Sequence, residues 1–337
     1  MLRSAKWALV ILSFFIFIAS ACSKDDAQQP QKKSKEHQTA EKIIAPLTGI
    51  ETKVASLERA VAVTVNNHPD ARPQTGLSQA DIVYEMLAEG NVTRFLAIFQ
   101  SEKPENTGPV RSARDYFIDL AKGYDALYVA HGHSPDAQQL LESGTVDHLN
   151  GIQHDGTLFQ RVDFRQAPHN SYITFENIEK GAGDAGYQLD TAPAPLQFLD
   201  EQMAEDLEGE AASSIKVSYS PDPSYVAEYQ YSSQDEKYSR SSAGSKTVEY
   251  GNEKPVLLDN IIVIEAPHTV KDSEGRRDID LEAGGRALVF QRGIIQEAEW
   301  KNEGGRLLPY QNGEPMEWVA GKTWINIVPD LTNVSFE

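Results

Sequence analysis

The chain has 337 residues, with 50 Asp plus Glu against 31 Lys plus Arg, a formal charge of −19 at neutral pH. At roughly 100–200 residues per domain that length holds about two domains, and the acidity excludes a general nucleic-acid binder. An apolar content of 40% excludes wholesale disorder, and the single cysteine, Cys22, excludes an internal disulfide framework and a multi-thiolate zinc site.

Arg3 and Lys6 open the chain, residues 7–18 (WALVILSFFIFI) form an apolar run, and Ala19, Ser20 and Ala21 lead into Cys22. The run is short of the roughly 20 residues that span a bilayer and reads as a secretory signal. Small residues placed before a cysteine in this way resemble the lipobox of bacterial lipoproteins, with Ala19 where a branched aliphatic is usual. That resemblance implies cleavage of residues 1–21 and lipidation of Cys22. Residues 22–43 are nearly free of apolar side chains, so they read as a disordered tether whose Lys32, Lys33 and Lys35 suit anionic head groups.

From 44 to 199 strand and helix patterns alternate, which predicts an α/β or α+β domain. Segments 59–65 (RAVAVTV), 81–86 (DIVYEM), 93–100 (TRFLAIFQ) and 126–130 (ALYVA) read as strands. Segment 112–121 has helical spacing, and 135–143 is a helix capped by Ser134 with Pro135 at its first position. The acidic stretch 197–212 reads as a helical bridge. From 213 to 337 the runs IKVSYS, YVAEYQYSS, KTVEYG, NIIVIEA, ALVFQRG and TWINIVP, separated by turn residues, predict a mainly antiparallel β domain.

The blocks VTVNNHPDARPQTGLSQADIVYEMLAEGNVTRF, GPVRSARDYF, YVAHGHSP and APHN, followed by YSRSSAG, NIIVIE and GKTWINIVP, resemble the YerB-like lipoprotein family from about 47 to 329. The resemblance implies a two-domain extracytoplasmic lipoprotein, and so a location and an architecture more than a chemistry. Asn91 departs from the family, which has a second glycine in this turn.

Arg94 heads an otherwise apolar strand, Arg111 and Arg114 flank Ser112 at the start of a helix, and Arg72 lies in the loop ARPQTG. Guanidinium groups beside a helix amino terminus make an anion site, with Asn67, Ser112 and Asn170 as accompanying polar groups. The competing reading pairs Arg94 and Arg111 with Glu85, Glu89 or Asp115 as loop struts. An Arg-headed strand followed by P-x-R-x-x-R-D also resembles LytR-CpsA-Psr envelope enzymes, in which arginines bind a polyprenyl pyrophosphate. Arg94 is, however, followed by Phe95 and Leu96 where that family has Asp-Thr.

His131 and His133 lie at a strand's carboxyl end, His154 follows in IQHDG, and His169 and Asn170 sit in a Pro-bounded loop. Hydrogen-bonded loop histidines are the simpler reading than a metal set, and no metal or cofactor is expected. His131 and His169 are acid-base candidates, joined by the paired carboxylates Glu85 and Glu89. Ser112 lacks a nucleophile elbow. The tyrosines and tryptophans of the second half read as core.

Together these readings describe a cell-membrane, lipid-anchored, extracytoplasmic binding module. Its arginines 72, 94, 111 and 114 are expected to hold an anionic envelope ligand or an envelope protein. The alternatives are an envelope enzyme of phosphoryl or glycopolymer transfer or glycan hydrolysis, using Glu85, Glu89, His131 and His169, and a non-catalytic adaptor.

Overall fold

Runs of β-branched and small apolar residues build the first strands, Val61–Asn66 (β1), Ile82–Glu89 (β2) and Val92–Phe99 (β3). Nearly every position in them is buried, so both faces of the sheet they form are covered. The computed structural model describes residues 43–52 and 58–337. The expectations for the signal peptide, for Cys22 and for the tether up to residue 42 lie outside the described residues.

After β3 come Asp115–Gly123 (α1), Leu127–Ala130 (β4), Pro135–Glu142 (α2) and His148–Asn150 (β5). Ser134 caps α2 by accepting from the Ala137 N–H at 3.3 Å, and Pro135 occupies the first turn, where its missing N–H costs nothing. Helix α1 begins later than its periodicity suggests. Residues 112–114 stay extended because Arg111 N and Ala113 N donate sideways, to Thr64 O at 2.8 Å and Gly132 O at 2.9 Å. Strands Phe159–Arg161 (β6) and Ser171–Thr174 (β7) form a small antiparallel sheet with Asn106–Thr107, and Phe175–Ala185 (α3) follows.

The bridge over 197–212 holds only a short helix, Glu201–Glu205, capped by Asp200, and the two-residue strand Glu210–Ala211. Ala204 is the helix's single buried residue, too little apolar surface to extend it. The second half contributes Ser214–Ser218 (β8), Val226–Ser232 (β9), Lys237–Ser242 (β10), Asn260–Glu265 (β11), Gly285–Gln291 (β12), Ile294–Glu303 (β13), Arg306–Gln311 (β14), Thr323–Val328 (β15) and Val334–Phe336 (β16).

Strand β15 lies parallel to β11 on one side and to β2 on the other. Strands from both halves therefore complete one mixed sheet, in the order β14-β13-β12-β11-β15-β2-β3-β1-β4-β5. In the first half this sheet is mixed and carries helices; in the second half the pairing is mainly antiparallel.

Side chains alternate across the sheet and build two cores. On one face Val63, Phe95, Phe99, Val263 and Trp324 pack with Ile178 of α3 and with Ile215, Val217, Tyr229 and Tyr238 of the separate β8–β10 sheet. On the other, Ala62, Tyr84, Leu96, Ile264 and Ile325 meet Phe117, Leu120 and Ala121 of α1 together with Trp300 and Trp318. Each such large side chain contributes about 1.5–3 kcal/mol on burial, and most aromatics of the second half are core, as read from the sequence, whereas Tyr231 is half-buried and Tyr250 is exposed.

Candidate functional site

Parallel strands β1, β4 and β5 bring their carboxyl ends, Asn66, Ala130 and Asn150, to one edge of the sheet. Antiparallel β3 begins there, so Arg94 lies opposite Asn66 in register. Ligand-contacting side chains gather at such an edge in α/β sheets. The turn before α1 crosses it, held by Arg111 N to Thr64 O and by His131 N donating to Arg111 O at 3.0 Å.

Glu89 sits between two guanidinium groups. Arg94 Nη2 donates to its Oε1 at 2.5 Å, and Arg114 Nη2 donates to its Oε2. Arg94 also donates to Ser112 O at 2.8 Å. Burial by itself would raise the Glu89 carboxyl, but Arg94, Arg114 and Arg111 outweigh it and hold it below the ordinary range. Burial pushes Arg94 down to about 10, opposed by Glu89 and reinforced by Arg114 and Arg111, yet the guanidinium stays charged at neutral pH.

Arg111 is different. It is half-buried, and its side chain has no hydrogen-bond or ion-pair partner among the described residues. Burial shifts it downward; Glu89 opposes this, and Arg114 and Arg161 add to it.

Arg161, at the end of β6, joins this group, and sequence reasoning missed it. Its guanidinium grips both oxygens of Asp155, at 3.0 Å to each, donates to Asn170 Oδ1 at 3.2 Å, and donates to His131 Nε2 at 2.7 Å. An arginine can only donate, so His131 Nε2 accepts and its Nδ1–H faces Ser171 Oγ at 2.7 Å. Burial, then Arg161, lowers the His131 pKa, so the ring is a neutral clamp with both nitrogens engaged. Two glycines permit that position: a Cβ on Gly151 would lie 2.1 Å from His131 Nδ1, and one on Gly132, at φ +96°, would lie 2.7 Å from Ser112 Oγ. Ser112 itself donates to His131 O at 3.2 Å and shapes the turn.

His169 lies beyond, its Nδ1 receiving Asn66 Nδ2 at 2.8 Å and its ring stacked on His68 at 4.6 Å. Burial, His68 and Arg111, in that order, lower its pKa.

Arg72, Asn67 and Glu85 stand apart from this cluster. Arg72 is consumed by Asn67 O at 2.8 Å, Ser224 O at 2.7 Å and Ser242 Oγ at 3.0 Å, bonds that tie its loop to the second half. It lines a groove of about 440 Å³ with Arg240 and Lys246. Glu85, 1% exposed, accepts from Asn67 Nδ2 at 3.2 Å, Thr93 Oγ1 at 3.1 Å, Arg240 Nη2 at 2.8 Å and Trp324 Nε1 at 3.1 Å. Arg240 lies against the Trp324 ring at 4.7 Å and the Phe95 ring at 5.4 Å. Glu85 is thus a sealed strut between layers, and the four acid-base candidates do not assemble as one set: Glu89 is held by two arginines and His131 by Arg161.

The site therefore contains four guanidinium groups, the bonded ones of Arg94, Arg114 and Arg161 and the unbonded one of Arg111, against the carboxylates of Glu89 and Asp155. It is a local excess of positive charge on a chain of net charge −19, arranged to receive an anion.

Comparison with known proteins agrees with this architecture. Models of the family described as "Protein of unknown function (DUF3048)" match residues 47–188 with the amino-terminal domain and 215–325 with the carboxy-terminal domain. The chain is 47% identical over 333 residues to "Putative lipoprotein YerB" of Bacillus subtilis, covering 98% of this chain and 97% of that protein. The crystal structure of YerB protein from Bacillus subtilis superposes with a TM-score of 0.82 at 49% identity, over 88% of this chain and 100% of that one. Among the described residues no helix is long and apolar enough to cross a membrane. The sequence blocks, both domain models and the shared fold converge, and the chain belongs to the DUF3048 family of YerB-like proteins.

Proposed function

We propose that this protein is a lipoprotein anchored through Cys22 on the extracytoplasmic face of the cell membrane, where it binds an anionic envelope ligand at the Arg94, Arg111, Arg114 and Arg161 cluster. The anchor reading rests on the lipobox-like start and on the name of the Bacillus subtilis relative, "Putative lipoprotein YerB". One observation carries the binding reading: Arg111 is a half-buried guanidinium without a protein partner among the described residues, crowded by Arg114 and Arg161. Glu89, the carboxylate that acts on Arg111, is already bonded to Arg94 and Arg114, so desolvating this third arginine is costly, and an incoming phosphate or carboxylate offsets that cost through charge-assisted bonds.

The test is a thermal-shift and calorimetric titration of the full chain in detergent against polyprenyl phosphates, muropeptides and teichoic-acid fragments. A ligand at a hundredfold excess over Kd stabilises the native state by about 2.7 kcal/mol, and Arg111→Ala abolishes the shift. Absence of a shift with every fragment overturns the reading in favour of a protein adaptor.

A further inference from the structure

We propose that the stacked imidazoles of His68 and His169 extend the Arg111 site into a receptor for a phosphate group rather than for a carboxylate. The inference rests on the anion-binding reading and specifies its ligand class.

Hydrogen bonding decides where each ring carries its proton. Asp70 N–H donates to His68 Nδ1 at 3.2 Å, and a backbone amide can only donate, so the neutral His68 ring bears its hydrogen on Nε2. Asn66 Oδ1 accepts from His68 N–H at 3.0 Å, which sets the orientation of the Asn66 amide and turns its Nδ2 to His169 Nδ1 at 2.8 Å. His169 is therefore also an Nε2–H tautomer. The rings lie 4.6 Å apart at an angle of 21°, and neither Nε2 has a protein partner among the described residues. Arg111 is close enough to His169 for its charge to act on that ring.

These donors suit a tetrahedral oxyanion. One guanidinium takes one lone pair from each oxygen of a carboxylate, and the lone pairs that remain lie in that same plane rather than toward donors above or below it. A phosphate bound in the same way keeps a further oxygen out of that plane. His68, Asp70 and His169 also bring potential metal-ligand atoms within 4.8 Å of one another. Both Nδ1 lone pairs are already occupied and both Nε2 atoms carry hydrogen, so the rings present donors where a cation requires lone pairs. The Asp70 carboxylate, 3.5 Å from His68 Nδ1, is 74% exposed, and its repulsion of an anion is screened by solvent.

Calorimetry on the full chain in detergent at pH 8, with inorganic phosphate and malonate as dianionic probes, tests the assignment. The expected result is phosphate binding at least tenfold tighter than malonate. His68→Ala and His169→Ala bring the ratio toward one without changing malonate affinity more than threefold, and His169→Gln, whose amide nitrogen stands near Nε2, restores part of the preference. Long-range ¹⁵N–¹H spectra show the Nε2–H tautomer for both rings. Equal, Arg111-dependent binding of the two anions, an Nδ1–H tautomer, or Zn²⁺ binding that both alanine variants lose overturns this inference and leaves the anion site standing. Failure of both anions to bind the unaltered protein overturns the anion site itself.

Discussion

Two of the arginine–glutamate groupings among the described residues, around Glu85 and around Glu89, differ in balance and in sealing. At Glu85 one carboxylate meets one guanidinium, Arg240, behind Trp324 and Phe95, and four donors fill both oxygens. At Glu89 the carboxylate meets Arg94 and Arg114, with Arg111 left over, at an edge where Glu89 is 30% exposed. Equal charge in a closed space leaves nothing for a ligand. Surplus charge at an open edge is a binding site, so the residue types alone do not separate a strut from a receptor.

The sharpest way to break this comparison is to open the sealed pair. Arg240→Ala leaves Glu85 as an uncompensated buried charge, and such losses cost about 3–5 kcal/mol. Urea denaturation reads the loss; a cost under about 1 kcal/mol would show that Glu85 is solvated and the distinction false.

A second buried carboxylate sharpens the contrast because no guanidinium is bonded to it. Asp81 accepts from Gln100 N at 2.6 Å and Ser101 N at 2.8 Å, and burial outweighs these bonds, pushing its pKa from 3.8 up to about 6. The folded state then holds this proton more tightly than the unfolded chain. Stability from this group accordingly falls as pH rises from about 4 to about 6, by at most about 1.4 kcal/mol per pH unit, and Asp81→Asn flattens that slope in pH-dependent denaturation.

Glu89 behaves oppositely. Its pKa is lowered from 4.5 despite burial, so its stabilisation is present above that value and is lost as pH falls below it. Glu89→Gln should cost about 1.5–3 kcal/mol near neutral pH, the worth of bonds to a charged group, and remove part of the acid-induced loss. It also leaves the arginines less neutralised, so anion affinity should rise in the same titration.

The smallest stability effect belongs to Arg111. With no bonded partner to lose among the described residues, Arg111→Ala should change the unfolding free energy by no more than about 0.5 kcal/mol while abolishing anion binding. A loss of several kcal/mol would reveal a structural role and erase the difference between the two clusters.

Local patterns were legible because short-range physics fixes them. The β-branched runs became β1, β3 and β4, and Ser134-Pro135 opened α2 as a capped helix. Of the site, Arg94 was legible as the charged head of an apolar strand, and Arg111 and Arg114 through the turn that opens the helix after them. Arg161 and His68 were not: the first acts through His131, 30 residues away, and the second through stacking on a ring 101 residues on. Arg72 looked equivalent to the other arginines, and only its bonds to Ser224 and Ser242 set it apart.

By itself the sequence determined the strands β1 to β4, the capped helix α2, the β-rich second half, the net acidity, the family resemblance and three arginines of one turn and strand, since all follow from periodicity, composition, motifs and short spacing. The tertiary structure alone decided that β15 inserts between β11 and β2, so that one sheet carries strands of both halves. It also decided which glutamate is sealed and which is open. Strand pairing and charge burial are long-range outcomes, set by which faces find cover, and no local pattern of residues encodes them.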